Sequence, residues 1–216
     1  MKSYKQVLGG AFLTSLCISL LFTGCTSSKN IIPASQTEHP ATQKLSAAVT
    51  QLEIAVSDLT QNKYQRIINQ YEEHWQQMQG TNDMLKKTAS LQPLDDGQIS
   101  MINESLQALR QELAGIENVN QNFENELKSI NKQVIEINKR AKLLDEAWLE
   151  YRTAQPKDAK FTEANVNAVK AEAVTAVQLA EKTIGEINQI AKMYNGKAQG
   201  LYHATEKYVS TFKKAN

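Results

Sequence analysis

Cysteine is almost missing from this chain: Cys17 and Cys25 are the two that occur in 216 residues. Everything after Cys25 therefore has no disulfide within it and must be stabilised by packing alone, for which the chain is long enough to build one real core. Histidine is scarce as well. His39, His74 and His203 never form a helical i,i+4 pair, and no cysteine or clustered carboxylate stands at ligand spacing beside them, so no metal site is expected. Net charge is +1, with no basic patch interleaved with aromatics, which excludes a nucleic-acid partner. No nucleophile motif, glycine-rich phosphate loop or metalloprotease signature is present, so no catalytic residue and no cofactor are expected. Beyond Cys25 no window approaches the ~18 apolar residues of a membrane span.

One apolar stretch does exist, at the start. Met1-Lys2-Ser3-Tyr4-Lys5 is a short basic segment, and Val7 to Gly24 is mostly apolar with small residues at its end, the layout of a secretory leader. A transmembrane helix is the alternative. Gly9, Gly10, Thr14 and Ser15 interrupt the stretch, and it falls short of the ~20 apolar residues that a span needs. Its last residues, Phe22-Thr23-Gly24-Cys25, resemble the lipobox of bacterial lipoproteins, with phenylalanine where leucine is usual. That resemblance implies a lipid on the Cys25 sulfur, cleavage before it and acylation of the new amine. Residues 1–24 are then a signal peptide. Two or three acyl chains anchor stably where one is marginal. Loss of Lys2 and Lys5 with the leader leaves the mature chain close to neutral.

Residues 26–40, TSSKNIIPASQTEHP, are polar, contain Pro33 and Pro40, and read as a tether with a random-coil reach of ~20 Å. From Ala41 the pattern changes to helical steps. Ile102, Leu106, Leu109, Leu113, Ile116, Asn120, Phe123, Leu127, Ile130, Val134, Ile137, Ala141, Leu144, Trp148 and Tyr151 alternate steps of four and three, a heptad stripe whose strongly polar member is Asn120. A second stripe runs from Ala173 through Ile187, Tyr194, Leu201 and Thr205 to Tyr208 and Phe212. The earliest runs Leu45, Val49, Leu52, Val56, Leu59, slips by one residue, and resumes as Tyr64, Ile68, Tyr71, Trp75, Met78, Asn82, Leu85, Ala89. Such a slip should change the supercoil near Lys63.

Pro93 and Gly97 in QPLDDGQ, and Pro156 with an N-cap at Asp158 or Thr162, break the stripes. Helices over roughly 41–91, 98–153 and 162–213 follow, each about 75–85 Å long. Short connections force neighbours to be antiparallel. The predicted fold is all-α: an elongated, coiled-coil-like bundle of three antiparallel helices over 41–216.

Matching the loop ends places Asn120 level with Tyr71 and Tyr194, where a buried amide could meet two hydroxyls and fix register; water or an outward rotamer is the alternative. The aromatic residues on the stripes read as core packing rather than ligand stacking. Adjacent carboxylates at Glu72-Glu73 and Asp95-Asp96 read as solvated or capping groups rather than acid–base pairs. Counting direction puts Asp95, Asp96, Lys213 and Lys214 together at the end far from the tether, where a partner would be met first. Capping and a solvated tail account for these charges equally well.

An acylated cysteine, a short tether and long helices resemble the cell-wall-binding helical lipoproteins of Gram-positive bacteria. The likeness is one of architecture, with no shared residue motif. It implies a non-enzymatic, lipid-anchored, extracytoplasmic protein of the cell membrane, a spacer or docking module with a protein or cell-wall partner. In a Gram-negative host, Thr26 after the cysteine would favour the outer membrane. A membrane-active helical bundle, such as a toxin component or superinfection-exclusion factor, is the alternative.

Overall fold

The computed structural model describes residues 39–91, 93–154 and 161–213. The leader, Cys25, the tether as far as residue 38, and Lys214 lie outside the described residues. The described residues belong to one unit, Gln36–Asn216. It is an antiparallel three-helix bundle, and no strand occurs among the described residues.

The first arm consists of α1 (Pro40–Asp58), a π-helical turn (Leu59–Lys63) and α2 (Tyr64–Ala89). The other two arms are α3 (Asp96–Thr153) and α4 (Glu163–Lys213). At 58 residues, α3 extends about 87 Å.

Local chemistry sets the helix starts. Pro40, expected in the tether, is instead the first residue of α1, where its missing N–H costs nothing. His39 caps that helix, its Nδ1 accepting from the Ala41 N–H at 3.2 Å. Asp95 opens α3 with a capping box: its carboxylate accepts from Gln98 N at 2.7 Å, and Gln98 Oε1 accepts from Asp95 N at 3.0 Å. Of the two caps considered for α4, Thr162 has the part: its Oγ1 accepts from Asn165 N at 3.2 Å.

Side-chain links fix the direction of the arms. Lys63 with Glu126, Tyr71 with Asn120 and His74 with Glu112 run in opposite order along the first arm and α3. Lys170 with Asp145 and Arg110 with Tyr202 do the same for α3 and α4. Thus α2 and α4 are parallel, and Thr205 of α4 reaches Asn82 of α2.

The stripes form the core. On α3, Ile102, Leu109, Ile116, Phe123, Leu127, Ile130, Val134, Ile137 and Leu144 are buried, while Leu106, Leu113, Ala141, Trp148 and Tyr151 are half-buried. Two departures are informative. Late in α4 the buried residues are Tyr202, Thr205 and Val209, with Leu201 and Tyr208 only half-buried. An α-helix drifts by about 20° per heptad relative to a 3.5-residue repeat, so after several heptads the next residue in line turns inward. In the first arm, the phase slip is taken up by the π turn, whose wider loop absorbs one extra residue. After it, Ile67 is buried and the expected Ile68 is half-buried.

Phe161, which sequence periodicity left in a loop, is buried at the end where α1 begins. It stacks on His39 with centroids 4.0 Å apart and meets Trp148 and Tyr151 edge-on at 5.2 and 5.1 Å. The ring contacts close that end of the bundle.

Candidate functional site

Near the middle of the bundle the three arms contribute one polar layer. The Tyr71 hydroxyl of α2 donates to Asn120 Oδ1 of α3. Tyr194 of α4 stacks on the Tyr71 ring at 4.9 Å and 3°, and Phe123 lies 6.1 Å from the same ring. Tyr194 joins by its ring face rather than by bonding Asn120, and the Glu72 carboxylate acts on its hydroxyl. Burial leaves the Tyr71 phenolate without solvation, and its pKa is pushed up to about 12. Tyr194 is raised too, first by burial and then by the Glu72 charge.

A further polar contact joins α2 and α4, and periodicity alone did not pair its members. Thr205 Oγ1 lies 2.7 Å from Asn82 Oδ1 and 2.8 Å from the Leu201 carbonyl, so its single proton serves one acceptor at a time. Both residues stand on stripes as polar members, and that polarity was the signal available for finding them.

His74 occupies a slot on α3. Its Nδ1 lies 2.7 Å from Glu112 Oε2, and because a carboxylate accepts, this nitrogen carries the proton. Gln77, oriented to satisfy both partners, donates to Glu112 Oε2 at 2.9 Å and Oε1 at 2.8 Å. Gly115 makes the slot: a Cβ there would stand 2.7 Å from Nδ1 and 2.8 Å from Nε2 of the imidazole. His203 is exposed and near Glu206 at 3.8 Å. No group of three or more potential ligands that could hold a metal occurs among the described residues.

Asp95 ends the α2–α3 connection, Asp96 is the first residue of α3 and Lys213 is the last residue of α4, at the end shared by both through the Asn82–Thr205 and Arg110–Tyr202 contacts. The Asp95 carboxylate is committed to its cap, and Asp96 is exposed in the first turn of α3.

Shallow grooves follow the arms. Between α3 and α4, Arg110 donates from Nε and Nη2 to the Tyr202 hydroxyl at 3.2 and 3.0 Å, in a groove of about 540 Å³ shared with Gln107 and Glu206. Between α2 and α3, a groove of about 470 Å³ begins at the π turn. Lys63 closes its head, with Nζ 2.8 Å from Glu126 Oε1 and 3.1 Å from Asp58 Oδ2. Those two carboxylates, Glu126 foremost, raise the Lys63 pKa. No described helix is long and apolar enough to cross a membrane.

No protein-family model and no curated protein matches the chain. Among solved structures, it is similar to a computationally designed three-helix bundle, with 17% identity over 81% of this chain and 88% of that one and a TM-score of 0.41.

Proposed function

We propose that this chain is a non-enzymatic, lipid-anchored protein of the cell envelope, extracytoplasmic, acting as a helical spacer or docking module for a cell-wall or protein partner. The observation that carries the reading is the order along the chain: an apolar leader closed by Phe22-Thr23-Gly24-Cys25, a short polar stretch, then long helices. His74 with Glu112 and Lys63 with Glu126 tie the first arm to α3, which suits a stiff spacer.

The anchor is tested by Cys25→Ser in the full chain. The variant is expected to accumulate uncut or to be released, and to leave the detergent phase on phase separation. Cleavage after residue 24 with unchanged partitioning overturns the lipid anchor. Partner capture from solubilised envelope is then compared between the unaltered chain and one with a Gly/Ser turn at 92–98 and no residues 213–216. Equal capture moves the docking surface from the tip to the helical faces.

A further inference from the structure

We draw no further inference here: the strongest candidate, the α3–α4 groove of about 220 Å³ beside the Asn120 layer, where Asn195 Oδ1 is buried without a hydrogen-bond partner among the described residues, carries nothing because Asn195 as a whole is only half-buried and nothing in the structure shows what covers the groove.

Discussion

Asn120 is half-buried and is the acceptor for a tyrosine hydroxyl whose residue has 0% exposure. From sequence, replacing this amide by leucine is expected to keep or raise stability while loosening register. The Tyr71 bond changes that expectation, because Asn120→Leu strands a buried donor. A loss of about 1–3 kcal/mol in chemical denaturation is predicted, while Tyr71→Phe with Asn120→Leu, which removes both partners, should recover most of it. Equal losses in the single and double variants would show that the bond contributes nothing. The same tyrosine makes the protein sensitive to alkali. A phenol titrates near 10 when unfolded, so the folded value of about 12 means the native state holds the proton longer. Unfolding releases protons in that window, so stability is complete below pH ~10 and falls as pH rises through the folded value. The expected contribution is about 2–3 kcal/mol. Denaturation midpoints measured from pH 9 to 12 should decline less steeply in Tyr71→Phe; an identical slope would assign the loss to other groups, such as Tyr64 and Tyr194, which are also raised.

At the scale of an element, the π turn at Leu59–Lys63 reconciles two stretches of heptads that are out of phase by one residue. Deleting exposed Gln61 brings the stripe from Leu59 to Tyr64 into a step of four, which an ordinary α-helix accommodates. This deletion is expected to keep the fold with a melting temperature unchanged or higher. Deleting exposed Gln76, in the regular part of α2, should instead rotate the following stripe by about 100° and expose Met78, Asn82 and Leu85, lowering the melting temperature by several degrees or more. Comparable effects of the two deletions would mean that the π turn is not a phase adapter. The Gln61 deletion also resets Lys63, so it should disturb the α2–α3 groove without disturbing the core.

On the scale of the molecule, the antiparallel order sets which parts share an end of the bundle. Pro40 and Phe161 mark one end through the His39–Phe161 stack, and the α2–α3 connection with the last turn of α4 marks the other. If the chain is anchored through Cys25 and stands away from the membrane, Arg152→Cys should be quenched more by a membrane-bound probe than Asp96→Cys. The two positions lie about 80 Å apart along α3 by helix rise. Equal quenching would mean that the bundle lies along the surface. Both labels are specific because Cys25 is the cysteine expected to be acylated and Cys17 to leave with the leader.

Helix identity, the number of arms and their breaks were determined by sequence alone, because period, caps and turn residues act over a few positions. Asp95 with Gln98, Thr162 and the uninterrupted stripe of α3 carry that information locally. The level of Asn120 with Tyr71 and Tyr194 was legible too, since arm lengths fix axial position. Tertiary structure decided the rest. It laid the Tyr194 ring on Tyr71, chose Ile67 over Ile68 and Tyr202 over Leu201 for the interior, and paired Asn82 with Thr205. Each of these depends on the rotation of one helix about its axis relative to two others, and a periodic pattern fixes that rotation only to within the angle between adjacent residues.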